Sequence, residues 1–192
     1  LTSAHEAYET PLGVIEIDQE LVQSLDSALR RQTGLNLTAV RKDPEHSLEI
    51  ELPFLQRALA NPFKLLPVMV REQSPEVVRG LGIALAETLR DRKALLVAST
   101  DLSHFYPEPI ANNLDRKMLD CIASLETNEV LLAEKHATGF ACGAGAVTVI
   151  LEAATQLGAN EAIILHYSTS ADETGDTSSV VGYGAVAILR KE

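Results

Sequence analysis

His46 in DPEHSLEIELP, His104 in VASTDLSHF and Cys142 in GFACGAGAV are side chains that can hold a metal ion or move protons. Two imidazoles and a thiol form a mixed nitrogen and sulfur donor set suited to iron, copper or zinc. The same groups could instead meet at a substrate carbonyl, the thiol attacking and an imidazole acting as base. Asp101, three residues before His104, adds a carboxylate to the same loop. Local spacing cannot bring these residues together as it does in a C-x₂-C pair. The fold must do it.

Asp101 and His104 directly follow Ala94–Ser99 (ALLVAS), a continuous apolar run that reads as a strand buried on both faces of an α/β sheet. In open α/β sheets, ligands bind beyond the carboxyl ends of strands. The Thr-Asp-x-x-His loop is therefore placed for function, against the plainer reading of a helix cap and a half-exposed loop histidine. His46 opens a helix behind Asp43, Pro44 and Glu45. Carboxylates are favoured at a helix N-terminus and a histidinium is not, so a neutral imidazole is expected there, fit for a ligand or a base. An ordinary helix-start histidine would look the same. Cys142 precedes Gly143-Ala144-Gly145 and a helix N-terminus, which stabilises a thiolate. Reactive cysteines, thiolate ligands and buried cysteines in tight strand–helix turns all share that setting. The GAGA stretch lacks the G-x-G-x-x-G spacing of a dinucleotide fingerprint.

The remaining elements alternate. A strand at 14–17 leads to a helix capped by Asp18 and closed at Gly34, and a strand follows at 37–40. A helix over 45–60 should be kinked or split at Pro53. A buried strand at 63–70 is demoted towards an edge by Pro67. Ser74 and Pro75 start a helix that runs to about Asp91. Helices are expected over 110–124, 128–136 and 145–157, with Cys121 on the apolar stripe beside Met118 and Ile122. A buried strand at 162–167, with His166 as a core histidine, precedes a polar loop and a last strand at 180–189. The expected fold is a single α/β domain, with a central mostly parallel or mixed sheet flanked by helices.

The chain has 192 residues, 46% of them hydrophobic, and a formal net charge of −11. Nucleic acid and anionic membrane are poor partners for such a surface, because both need clustered Lys and Arg. Only two cysteines are present, as suits a reducing, cytoplasmic setting. No apolar run approaches the ~18 residues needed to span a bilayer.

YETPLGVIEID, DPEHSLEIELPFL, LLPVMV, VASTDLSHF, ACGAGAV and DTSSVVGYGAVAIL, in this order, resemble the Memo family, the protein B component of the AmmeMemoRadiSam system. That family is similar to the LigB-type class III extradiol dioxygenases, non-haem iron enzymes. The resemblance implies a class III extradiol dioxygenase-like fold over residues 1–192, without the family's N-terminal strand and first metal histidine. It implies metal-ligand roles for His46 and Cys142 and acid/base roles for His104 and Asp101. The implied cofactor is a transition metal, iron first, with copper or zinc as alternatives because thiolate replaces the dioxygenase carboxylate. The implied reaction is metal-dependent redox chemistry on an unidentified small molecule. The alternatives are metal-free Cys/His chemistry, or a non-enzymatic pocket for a peptide or protein. Implied partners are a radical-SAM protein and an AMMECR1-type protein.

Overall fold

Asp18 accepts a hydrogen bond from the Leu21 amide at 2.9 Å, the N-cap that starts helix α1 (Gln19–Thr33). Gly34 ends that helix in left-handed backbone at φ 75°, its amide bonded to the Arg30 carbonyl. The computed structural model describes residues 1–42 and 44–191. Asp43, one of the carboxylates expected ahead of His46, lies outside them.

Before α1 come β1 (Thr2–Ser3), β2 (Ala7–Thr10) and β3 (Gly13–Glu16). After it come β4 (Ala39–Val40), α2 (Ser47–Ala58), α3 (Pro75–Leu89) and β5 (His104–Tyr106). The chain continues through α4 (Glu108–Ala123), α5 (Thr127–Lys135), α6 (Ala144–Gln156), β6 (Glu161–Thr169), α7 (Ala171–Thr174) and β7 (Val180–Leu189). The class is α/β, and its pairing is mixed. Among the described residues β1 pairs β4 in parallel, β2 and β3 form a hairpin, and β5, β7 and β6 form an antiparallel sheet with β7 in the middle.

Two cores share one helix. α6 gives Val149 and Ala153 to a cluster with α1 and α3, around Leu25, Val78 and Leu85. It gives Val147 and Leu151 to a second cluster with α4 and α5, around Met118 and Val130. The helix that follows Cys142 is thus clamped on two sides, which makes its first turn a rigid platform. α3 and α6 approach closely at Gly82, where a Cβ would stand 2.6 Å from the Glu152 Cβ.

Several expectations change. Ala94–Ser99 follows the core but joins no ladder among the described residues, and Leu95 and Val97 are 63% and 46% exposed. It is one-faced, not buried on both faces: Leu96 and Ala98 pack inward and the alternate residues face out. Between this segment and the β7 edge lies a groove of about 660 Å³ floored by Leu119, Ile122 and Ile150. Among the described residues, 63–70 likewise make a single isolated bridge, Leu65 to Ile17. In β6, Ile163, Ile164 and Leu165 are exposed, and His166 is an exposed strand residue, not a core histidine. Pro53 lies inside the single helix α2 and does not split it. Its ring leaves the Glu49 carbonyl without an amide partner, and Glu49 is exposed, so water can serve. Ser74 makes no side-chain cap, although Pro75 takes the first helical turn as expected.

Candidate functional site

Residues 100–104 run between β7 and the start of α6, and hydrogen bonds fix them on both sides. The Leu102 amide donates to the Gly182 carbonyl and the Gly182 amide to the Ser103 carbonyl, both at 2.9 Å. On the other side the Cys142 amide donates to the Asp101 carbonyl at 3.1 Å, and the Asp101 amide donates to Cys142 Sγ at 3.2 Å. Thr100 Oγ1 tightens this clamp. It accepts from the Gly143 amide and donates to the Asp101 carbonyl, each at 2.8 Å, and stands 3.6 Å from Sγ. Gly143 is required for the approach, since a Cβ there would lie 2.6 Å from the Ser99 carbonyl oxygen.

The result brings Asp101, His104 and Cys142 together. One ligand atom from each lies within 4.8 Å of the other two. Two donors on one ion, at bond lengths of about 2.0–2.3 Å, stand no more than about 4.6 Å apart, so small side-chain adjustments suffice. Cys142 is an exposed free thiol. His104 Nε2 is sealed from solvent, makes no hydrogen bond among the described residues and stands 3.5 Å from Asp101 Oδ2. A buried, unpartnered imidazole nitrogen is costly unless something else occupies it. Nitrogen, sulfur and oxygen donors around that atom fit a borderline transition metal.

His46 lies outside this cluster. It occupies the N-cap of α2 without a side-chain cap bond, and its Nδ1 is 2.7 Å from Glu49 Oε1, with the ring 75% exposed. The backbone bonds of that turn go to Glu45, whose carboxylate accepts from the amides of His46 and Ser47 at 2.7 and 2.6 Å. Those amides, Ser47 first, hold its pKa below the usual carboxylate value. α2 does reach the site's approach, because Ser99 Oγ donates to the Ser47 carbonyl at 2.9 Å.

A Memo-like protein family profile matches residues 1–187. The chain belongs to the Memo-like protein family. Relatives include MEMO1 family proteins of Methanothermobacter thermautotrophicus, 40% identical over 182 residues, and Aquifex aeolicus, 38% over 184. One from Nitrosopumilus maritimus is 34% identical over 190. These alignments cover 92–98% of this chain and 63–67% of the relatives' length, so the chain spans about two thirds of the proteins it matches. The Memo match spans the clamp at 99–104, the Cys142 turn and His46 alike.

Asp115, Tyr167 and Gly182 support this Memo-like site without belonging to any motif that marks it, whereas Thr100 heads the Thr-Asp-x-x-His loop. Asp115 left a signal. It falls between Ala111 and Met118 on the apolar stripe of α4, where a carboxylate is out of place. It is fully buried, and its Oδ1 accepts the Ser103 amide at 2.8 Å. Tyr167 Oη lies 2.8 Å from both Asp115 Oδ2 and Asn112 Oδ1. Burial, then the Asp115 carboxylate, push the Tyr167 phenol above its ordinary pKa. Folding therefore favours the neutral phenol. Its contribution is fully present below the unfolded pKa of about 10 and is lost as pH rises beyond it. Tyr167→Phe should accordingly flatten the alkaline limb of a pH–stability curve from urea melts, leaving the neutral limb's slope unchanged. An identical alkaline limb in both proteins would refute this.

Proposed function

We propose that this Memo-like chain binds one transition metal ion at Cys142 Sγ, with His104 and Asp101 offered to the same position. We further propose that the site performs metal-dependent redox or oxygen chemistry on a small molecule, in the manner of the extradiol dioxygenases the family resembles. The observation that carries this reading is the convergence of the three ligand atoms around His104 Nε2, which makes no hydrogen bond among the described residues. A bound ion would supply Lewis acidity and a redox or oxygen-binding position. Iron is the first candidate and copper or zinc the alternatives. The chain's own residues would anchor and orient. The Asp101 amide, donating to Cys142 Sγ at 3.2 Å, would orient the sulfur, and the Asp101 carboxylate, 3.5 Å from His104 Nε2, would hold or pass a proton. His46, which the family resemblance makes a ligand, would join by exchanging Glu49 for the ion.

Metal analysis of anaerobically purified protein tests this. Wild type should carry a transition metal in stoichiometric amount, and His104→Ala should lose most of it. Loss on His46→Ala alone would move the imidazole ligand from His104 to His46. Absence of any stoichiometric metal in wild type would end the reading.

A second reading is non-enzymatic binding of a peptide, favoured by Phe105. This residue has a left-handed backbone at φ 64° and is 78% exposed, with its ring edge-on to His104 at 5.6 Å. Held this way, an aromatic ring offers apolar contact beside the polar cluster. The metal-free alternative, with Cys142 as nucleophile and His104 as base, uses the same atoms. Radical-SAM and AMMECR1-type proteins are the partners proposed from the family. The free thiols Cys121 and Cys142 suit a reducing cytoplasm. Among the described residues no helix is long and apolar enough to cross a membrane.

A further inference from the structure

Ser103 lies between the two loop residues of the cluster, and its surroundings are built around one buried acidic side chain. Asp115 is 0% exposed, and among the described residues no cation lies within ion-pair distance of it. Its carboxylate is compensated by hydrogen bonds from the Ser103 amide at 2.8 Å and the Tyr167 hydroxyl at 2.8 Å. Burying a carboxylate on neutral donors alone is expensive. For packing only, an apolar residue would serve the α4 stripe better. A second residue also gives way to it. A Cβ at Gly182 would overlap Asp115 Oδ2, so β7 keeps a glycine within the strand, where glycine weakens a sheet.

Both concessions place an acceptor at the Ser103 amide, one residue from His104 and two from Asp101. The opposite face of the same peptide segment is bonded to Gly182. We propose that Asp115 is a positioning residue: by gripping the Ser103 amide it sets the 101–104 backbone, and so where His104 and Asp101 stand relative to Cys142. Tyr167 supports it by holding the other carboxylate oxygen. This rests on the reading of the cluster as a metal site, so the test carries one readout that needs metal and one that does not.

The first readout is anaerobic Co(II) titration of the full chain, followed by the thiolate-to-metal charge-transfer band. Asp115→Ala should weaken Co(II) by about ten- to a hundredfold, the range seen when a partner behind a ligand is removed. Asp115→Asn keeps an oxygen for the Ser103 amide and should recover most of the affinity. Leu25→Ala, a cavity in the other core cluster, should lower stability yet leave affinity within about twofold. The second readout is the alkylation rate of Cys142 by mass spectrometry in metal-free protein, with buried Cys121 as internal reference. Asp115→Ala should slow it several-fold as Sγ loses the Asp101 amide, and Leu25→Ala should not. If Asp115→Ala does not fold, Tyr167→Phe takes its place with a smaller change of the same sign. Should wild type bind no Co(II), the metal reading falls and the alkylation comparison decides positioning alone. Unchanged alkylation in Asp115→Ala, or equal effects from Leu25→Ala, would overturn the proposal.

Discussion

Cys142→Ser should abolish specific metal binding while leaving the fold intact. The thiol is exposed, so surface-type substitution there should change stability by no more than about 0.5 kcal/mol. Its sulfur is nevertheless the softest donor of the cluster and the one the backbone is arranged around. The Asp101 amide points at it from 3.2 Å, and the α6 N-terminus begins two residues later. A serine hydroxyl in that place remains protonated and neutral at ordinary pH and is a poor ligand. Titration with Co(II) should lose the thiolate charge-transfer band, and affinity should fall by more than about a hundredfold, beyond the usual range for residues behind a ligand. Retained binding of wild-type strength would place the ion elsewhere.

The second large effect should come from Gly182→Ala, far from any ligand atom in chemical type. The added methyl would overlap Asp115 Oδ2, and Asp115 Cγ would lie 2.6 Å away. Neither side can yield cheaply. Gly182 is tied to Leu102 and Ser103 by two backbone bonds at 2.9 Å, and Asp115 sits on α4 with no exposed surface. Overpacking of this kind costs about 1–3 kcal/mol. A buried acceptor pulled off its donors adds about 1–3 kcal/mol more. Against a domain stability of about 5–15 kcal/mol, the melting temperature should fall by roughly 10 °C, at about 2–4 °C per kcal/mol for this size. A melting temperature within about 2 °C of wild type would show that the strand and α4 can move apart freely, contrary to this picture.

The helices were legible because their signals are local. Asp18 and Gly34 bracket α1 as its caps demand, and Pro75 sits in the first turn of α3. The long strands were harder. ALLVAS is as apolar as a doubly buried strand, but composition cannot say what lies on each face, and here Leu95 and Val97 face outward. The same holds for Ile163 to Leu165 in β6. At the site, residue type found Asp101, His104 and Cys142, whereas their meeting depends on contacts forty residues apart that spacing does not encode. His46 shows the limit from the other side. Its neighbourhood in sequence suits a ligand, yet the residue that meets its ring is Glu49, three positions on in its own helix. Thr100 and Gly143 fall in segments the sequence singles out, the Thr-Asp-x-x-His loop and the Gly143-Ala144-Gly145 turn, but the hydrogen bond that joins them is not legible until the turn is known.

Cys142, His104 and Asp101 are proposed to hold one ion between them. The most direct test is a crystal structure of the metal-loaded protein with anomalous scattering recorded at the metal edge. One strong peak is expected about 2.3 Å from Cys142 Sγ and about 2.0–2.1 Å from His104 Nε2, with Asp101 beside it. A structure loaded with metal in which no peak lies within bonding distance of Cys142 Sγ would contradict it.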